Sequence, residues 1–261
     1  MIWRTAGPAA LLLSLGLPSI SAACSAPSPS PPRPVVIAAS DSTRGIADRL
    51  GSLYQSRSGG LVNVRPGNAE SALLAVRRGE ADAAVVDAPL TDTTGLQIAE
   101  LGREPLAIIA NPANPIANAS SDLLAQLYGG RLRDWSEVGG PVGPIVLLTR
   151  EGGDGGRTVL ERTMLRGREV SATAIVAPSE AMMLQRVAST VGAIGYVGLG
   201  AAGPSVKVVP VDNKPPSLDN GYPLVRPILL VTRSDEGDAA AALREIATSP
   251  DGRRAVGGLR P

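Results

Sequence analysis

The sequence has no histidine, no phenylalanine and a single cysteine. Without an imidazole it cannot build a Ser-His-Asp or Cys-His catalytic arrangement or a histidine metal site. Aromatic residues are 2% of the chain, which leaves little material for stacking sugars or bases. The 25 Lys+Arg residues balance 24 Asp+Glu residues and form no long basic run, so nucleic acid is not an expected partner.

What the sequence does contain is enough aliphatic material for a core. Its 261 residues suit one large domain or two lobes of roughly 100–150 residues each. Hydrophobic residues make up 44% of the chain. Because phenylalanine is absent, Ala, Val, Leu and Ile must fill the core, which favours layers of helices on a sheet.

The N-terminus predicts export. Residues 1–23 combine a positive charge at Arg4, an apolar stretch too short to span a membrane, and small residues before Cys24. We interpret 1–23 as a signal peptide. Ser21-Ala22-Ala23-Cys24 resembles the lipobox of bacterial lipoproteins, so we predict lipidation at Cys24; the alternative is a chance cysteine near an ordinary signal-peptidase site.

A Pro/Ser-rich segment follows the predicted lipidation site. Residues 24–34 cannot form a packed core and are typical of a semi-stiff spacer. We therefore expect an extracytoplasmic protein that is anchored to the membrane by acyl chains, in the periplasm or at the cell surface.

From Pro34 onward, apolar runs that predict strands alternate with patterns that predict helices. Strands are expected at 35–40, 61–64, 83–86, 105–111, 144–149, 193–197, 206–210 and 227–232, and helices at 44–56, 69–78, 122–127, 157–165, 180–188 and from 238 onward. Repeated β-α units predict an α/β fold with helices on both faces of an open sheet. In such sheets ligands bind at the carboxyl ends of strands.

Two Pro- and Asn-rich segments, 111–115 and 213–223, have the composition of linkers. If the chain crosses between lobes at these points, lobe 1 comprises 35–110 and 223–261, and lobe 2 comprises 111–222.

Six segments carry a resemblance to a known family. They are GEADAAVVDAPLT (79–91), LLAQLYGGRLRDWSEVGG (123–140), PIVLLTREGGDGGRTVLERTML (144–165), GAIGYVGLG (192–200), GYPLVRPILLVT (221–232) and TSPDGRRAVGGLRP (248–261). In this order they resemble the phosphate-specific solute-binding proteins of bacterial ABC transporters. The resemblance implies a two-lobed type II periplasmic-binding-protein fold, a clamshell in which each lobe is a sheet flanked by helices.

The resemblance also implies a ligand site. Its predicted residues are Ser40, Asp41, Ser42, Asn68, Asp87, Arg150, Asp154, Gly155 and Gly156. Asn68 or a close neighbour stands where the family uses a serine before the second helix, and Asp87 matches the aspartate that accepts a proton from the bound oxyanion. Arg150 matches the family's arginine, a fork suited to two oxygens at once.

The residues themselves support an anion site, with alternatives. Gly152 to Arg157 form a Gly-rich turn before a predicted helix, and a helix N-terminus presents unpaired N–H groups and a partial positive charge. Taken alone, however, the glycines could merely make a tight strand-to-helix connection. Equally, Asp87 could be a turn residue at a strand end, and Arg150 could form a surface salt bridge.

The Gly-rich loop departs from the family at two positions. Residues 154–156 read Asp-Gly-Gly where the family has Ser-Gly-Thr, so two hydroxyl donors are missing and one has become a carboxylate. Aspartate caps a helix as well as serine does. At about 4 Å, however, its charge would repel an anion by roughly 4 kcal/mol at an effective dielectric near 20. Asp154 must therefore be protonated, turned away, paired with Arg150 or Arg157, or bridged by a cation.

The sequence thus predicts a monomeric receptor that captures phosphate or a related oxyanion and delivers it to an ABC permease, with no catalysis, cofactor or metal. The alternative is a degenerate relative that acts as a surface sensor or interaction protein, in which Asp154 pairs with Arg150 as a bound anion would. A phosphoester hydrolase would need metal carboxylates or a nucleophile with a base. The sequence has neither histidine nor a dense acidic cluster to supply them.

Overall fold

The computed structural model describes residue 1, residues 33–257 and residue 259. Residues Arg33–Pro261 form one compact unit. The predicted signal peptide apart from Met1, most of the 24–34 linker and the lipidation site Cys24 lie outside the described residues. Within the described part of the chain, no helix combines the length and apolar character needed to cross a membrane.

Helices and strands alternate along the described chain. The strands are β1 Val35–Ser40, β2 Val62–Gly67, β3 Ala83–Val86, β4 Leu96–Ala110, β5 Val146–Thr149, β6 Ile175–Val176, β7 Ala193–Gly198, β8 Lys207–Val209 and β9 Val225–Arg233. The helices are α1 Arg44–Ser58, α2 Ala69–Arg77, α3 Ser121–Tyr128, α4 Gly155–Thr163, α5 Glu180–Ser189, α6 Asp238–Thr248 and α7 Pro250–Ala255, with short 3-10 helices at Asp41–Thr43, Trp135–Val138 and Leu199–Ala201. The α/β fold class predicted from the sequence is confirmed.

Several predicted boundaries differ from the structure, and two of the differences have a clear physical reason. The strand expected at 105–111 begins at Leu96, because its first part pairs antiparallel with β9 and alternates between partly buried and exposed residues. A search for continuous apolar runs misses such a segment. The helix expected from 157 begins at Gly155, because Asp154 caps it one residue earlier. The two-residue strand β6 was not predicted; both its residues are exposed.

Nine described strands form one sheet in the order β2-β1-β3-β9-β4-β7-β5-β6, with β8 paired to β4. The long strands β4 and β9 run antiparallel at its centre. On one side β1 is parallel to β2 and β3, and on the other β5 is parallel to β6 and β7. The sheet therefore consists of two parallel groups joined by one antiparallel pair.

The buried hydrophobic residues form four clusters that fall into two pairs. Two clusters take their buried members only from 35–101 and 228–256, and the other two take theirs only from 106–224. The change-over lies within β4 and near the start of β9. It falls close to the predicted crossings, although the lobe boundaries 35–110, 111–222 and 223–261 stay a prediction.

Short strands place three polar residues at their carboxyl ends. Ser40 is the last residue of β1, and Asp87 and Arg150 directly follow β3 and β5. β1 and β3 are parallel neighbours, so their carboxyl ends meet at the same edge. This edge is where an α/β sheet is expected to bind a ligand.

Candidate functional site

Asp87 lies at the centre of the site. Its side chain is fully buried, and it accepts hydrogen bonds from Ser40 Oγ to Oδ1 at 2.8 Å and from Ser42 Oγ to Oδ2 at 2.7 Å. A turn at a strand end would leave the carboxylate in solvent. The structure therefore contradicts the alternative that Asp87 is an ordinary turn residue.

Arg226, on β9, neutralises Asp87. Its Nη1 donates to Asp87 Oδ2 at 2.7 Å, and its Nη2 donates to Glu104 Oε2 at 2.6 Å and to Glu180 Oε1 at 3.2 Å. Burial lowers the pKa of Arg226, but the carboxylates of Asp87, Glu180 and Glu104 outweigh it and raise that pKa above its ordinary value. We call these four side chains the Arg226 cluster.

Arg150 forms the second charged group of the site. Only 3% of the residue is exposed, so it is not a surface salt bridge. Its Nε donates to Asp154 Oδ2 at 3.0 Å, and its Nη2 donates to Asp41 Oδ2 at 3.4 Å. Among the described residues, its Nη1 is buried and has no hydrogen-bond partner. We call Arg150, Asp154 and Asp41 the Arg150 cluster.

Asp154 holds Arg150 and caps α4 at the same time. Its Oδ1 accepts from the backbone N–H of Arg157 at 3.0 Å, while its Oδ2 accepts from Arg150. Of the four arrangements left open by the sequence, the structure shows pairing with Arg150. Burial raises the pKa of Asp154 and the Asp87 carboxylate raises it further, while Arg150 and the Arg157 N–H act against the rise.

The two clusters meet at the N-terminus of α4. A Cβ added to Gly155 would lie 2.4 Å from Asp87 Oδ1 and 2.7 Å from the Asp87 carbonyl carbon, so only glycine fits there without movement. A Cβ on Gly156 would lie 3.3 Å from both Asp154 Oδ1 and the ring of Tyr196. The two glycines therefore let the helix N-terminus approach Asp87 closely. A tight strand-to-helix connection alone would not require this close approach.

Asp41 connects the site to solvent. Its Oδ2 accepts from Arg150 Nη2 and from the backbone N–H of Glu180 at 3.2 Å, and 42% of its side chain is exposed. It therefore links the 3-10 helix after β1 to the start of α5.

Asn68 lies beside the Gly-rich loop. Its Oδ1 accepts from the backbone N–H of Ser71 and caps α2, while its Nδ2 donates to Glu151 Oε1 at 3.2 Å and to the Gly152 carbonyl at 3.3 Å. These contacts hold the loop against α2. They engage both ends of the carboxamide that the resemblance assigns to the ligand.

The site carries more negative than positive charge. Among the described residues of the two clusters, five carboxylates (Asp41, Asp87, Glu104, Asp154, Glu180) pair with two guanidiniums (Arg150, Arg226). An anion entering this network meets repulsion as well as donors.

The sequence reasoning missed Arg226, Glu104 and Glu180. A signal for Arg226 was present in the segment VRPILLVT, because a lone arginine in an otherwise apolar strand must be paired if it is buried. No comparable signal marks the two glutamates, which come from β4 and α5.

Hydroxyls, buried guanidiniums and a helix N-terminus at the carboxyl ends of strands in a mixed sheet define a small-ligand binding protein of the periplasmic-binding-protein type. The chain belongs to that superfamily, since the PBP superfamily domain matches residues 26–250. The type II fold implied by the resemblance is confirmed.

Individual relatives are similar over different shares of the chain. The phosphate-binding protein PstS of Borreliella burgdorferi is 25% identical over 148 residues, which are 51% of this chain and 53% of the relative. PstS of Bacillus subtilis is 32% identical over 101 residues, 39% of this chain and 32% of the relative. The chain thus aligns with about half of the first relative and a third of the second.

A solved structure is similar over most of the chain. The ABC-type phosphate transport receptor from Vibrio cholerae superimposes with a TM-score of 0.76 and 28% identity, covering 87% of this chain and 100% of that one. The fold is therefore shared over most of this chain and over the whole of that receptor.

Proposed function

We propose that the protein is an extracytoplasmic solute-binding protein that captures phosphate or a related oxyanion and delivers it to an ABC permease. The observation that carries the proposal is Arg150, whose buried Nη1 has no partner among the described residues and which lies beside the N-terminus of α4. A buried guanidinium N–H needs an acceptor, and an oxyanion supplies one.

Two further observations support binding over catalysis. Ser40, Asp87 and Arg150 are far apart in sequence, yet Ser40 donates to Asp87, and Arg150 donates to Asp41, the residue after Ser40. The relatives named above are described as phosphate-binding proteins or a phosphate transport receptor, not as enzymes. Such a receptor needs no cofactor, and we expect it to act as a monomer.

We also propose that the two pairs of hydrophobic clusters are the cores of two lobes, and that Cys24 carries the lipid anchor. The cores change over within β4 and near the start of β9. With the anchor at Cys24, the 24–34 spacer would hold the lobes off the membrane surface.

A second candidate function has one observation in its favour. Asp154 accepts the hydrogen bond from Arg150 Nε that a bound anion would otherwise accept. A relative whose site is permanently filled by its own carboxylate would no longer transport. It would act as a surface sensor or interaction protein.

The two functions are separated by calorimetric titration of the purified protein with phosphate near neutral pH, with sulfate as control. Binding of phosphate at micromolar or lower concentration without a response to sulfate is the expected result. Arg150→Met should abolish it, whereas Arg103→Met, an exposed arginine paired with Glu100, should leave it unchanged. No heat with either anion would overturn the phosphate proposal and favour the second candidate.

A further inference from the structure

We propose that Asp154 makes oxyanion binding proton-coupled: its carboxylate competes with the ligand for Arg150, so the site accepts an oxyanion only together with one additional proton. This inference rests on the proposed function and concerns the same site. It assigns to Asp154, rather than to Asp87, the main control over which protonation state of the ligand binds.

The first step is that the competing carboxylate, Asp154, already contacts Arg150. Asp154 is 5% exposed, and its Oδ2 lies 3.0 Å from Arg150 Nε. Arg150 has one further buried donor, Nη1, without a partner among the described residues. A ligand oxygen that reaches Nη1 must lie on the same guanidinium as the Asp154 carboxylate, so two negative groups share one positive group.

The second step is that the Asp87 carboxylate already accepts most of the hydrogen bonds that it can accept. Its two oxygens accept from Ser40, Ser42 and Arg226, all within 2.8 Å. An ionised carboxylate has about four lone-pair directions, and three are in use. Asp154 is the carboxylate beside the spare guanidinium N–H and is therefore the better placed partner for a proton on the ligand.

The third step is that, in the part of the chain that the structure describes, no other group around Asp154 is free to neutralise the added charge. The charged and titratable groups around Asp154 come from several elements: Asp41 in the 3-10 helix after β1, Asp87 after β3, Arg150 after β5, Arg157 in α4, Glu180 in α5, Tyr196 in β7 and, through Asp87, Arg226 in β9. Arg226 is held by three carboxylates, and Arg157 by Glu161 at 2.7 Å.

A proton must therefore enter with the anion. If Asp154 takes it, the carboxyl group becomes neutral and can donate to a ligand oxygen; if the ligand keeps it, the ligand donates to Asp154. Both arrangements balance the charge in the same way. Burial and Asp87 already raise the pKa of Asp154, which brings this protonation closer to working pH.

The test is phosphate calorimetry from about pH 5.5 to 8 in two buffers of different ionisation enthalpy, which counts protons taken up on binding. Wild type is compared with Asp154→Asn and Asp154→Ser, both of which retain a helix-capping side chain. Asp134→Asn is the matched control, because Asp134 is also an N-cap, at Trp135–Val138. The difference in proton uptake between wild type and variant counts the extra proton whether Asp154 or the ligand holds it.

On binding phosphate, wild type should take up about one proton more than Asp154→Asn. As pH rises, the phosphate affinity of wild type should fall more steeply than that of Asp154→Asn, by up to about tenfold per pH unit. At the alkaline end, both Asp154 variants should bind phosphate at least ~10-fold more tightly than wild type. Asp134→Asn should match wild type.

Equal proton uptake and equal pH dependence in wild type and both variants would overturn this inference while leaving phosphate binding intact. Weaker binding by Asp154→Asn and Asp154→Ser at alkaline pH would overturn it as well. If neither wild type nor variants bind phosphate at any pH, the proposed function itself fails. Either Asp154 variant alone gives the comparison with wild type, so the test holds even if one of them does not fold.

Discussion

Arg226 and Arg150 are both 3% exposed, yet their guanidinium groups are satisfied to different degrees. Arg226 donates from Nε, Nη1 and Nη2 to three carboxylates. Arg150 donates from Nε and Nη2, while its Nη1 is buried without a partner among the described residues. One arginine is saturated by protein and the other is not.

The difference separates a structural ion cluster from a binding group. The Arg226 cluster ties β9 to the residue after β3, to β4 and to α5, and its members have few directions left for a ligand. A buried ion cluster of this kind is costly to break but does not recognise anything further. The Arg150 cluster retains an unused donor and a partly exposed carboxylate, so it can respond to an anion.

The largest expected effect comes from breaking the saturated cluster. Arg226→Met should lower the free energy of unfolding by about 3–5 kcal/mol, because Asp87 would remain fully buried without its cation. Denaturant unfolding at neutral pH measures the change. Arg233→Met is the matched control on the same strand, since its pair with Asp235 is exposed and is expected to contribute about 0–1 kcal/mol. Equal losses for the two variants would contradict the structural role of Arg226.

Breaking the Arg150 cluster should lower the free energy of unfolding by a smaller amount, and that amount should depend on pH. Arg150→Met should lower the free energy of unfolding by about 1–3 kcal/mol near neutral pH, because Asp154 can neutralise itself by binding a proton. Without Arg150, which lowers it, the pKa of folded Asp154 rises further above that of the unfolded chain. The folded variant then holds more protons than folded wild type, so stability relative to wild type falls as pH rises from the folded pKa of Asp154 in wild type to its higher folded pKa in the variant.

The slope in that window is at most about 1.4 kcal/mol per pH unit, and above the folded pKa the loss is complete. Unfolding of Arg150→Met and wild type should be compared at several values from about pH 4.5 to 8. A pH-independent difference, such as we expect for Arg103→Met, would show that Asp154 does not titrate in response to Arg150.

The sequence predicted the positions of site residues better than their partners. The runs VVIAAS and AAVV match β1 and β3, which places Ser40 and Asp87 at strand ends as expected. The partner of Asp154 was left open, because Arg157 and Arg150 lie three and four residues away and either spacing allows contact. Folding resolves it: the Arg157 backbone N–H and the Arg150 side chain both bind Asp154, while the Arg157 guanidinium turns to Glu161.

The Arg226 cluster could not be assembled from the sequence at all. Its four charged side chains come from β9, the residue after β3, β4 and α5, and no local pattern in these segments says which of them pair. Only the antiparallel pairing of β4 with β9, which alternating residues at the start of β4 concealed, brings Glu104 opposite Arg226.

The smallest expected effect tests whether Asn68 binds the ligand together with the Arg150 cluster or only supports the Gly-rich loop. Asn68→Ala should lower the free energy of unfolding by about 1 kcal/mol through loss of the α2 cap, while Asn68→Ser retains the cap. Because both ends of the carboxamide are engaged by Ser71, Glu151 and Gly152, phosphate affinity should change by less than ~3-fold.

Ser120→Ala, which removes the cap of α3, is the matched control for stability, and calorimetry gives the affinity. A loss of phosphate affinity of about tenfold or more in both Asn68 variants but not in Ser120→Ala would show that Asn68 contacts the bound phosphate. It would then extend the binding group beyond Arg150 to the loop that carries Asp154.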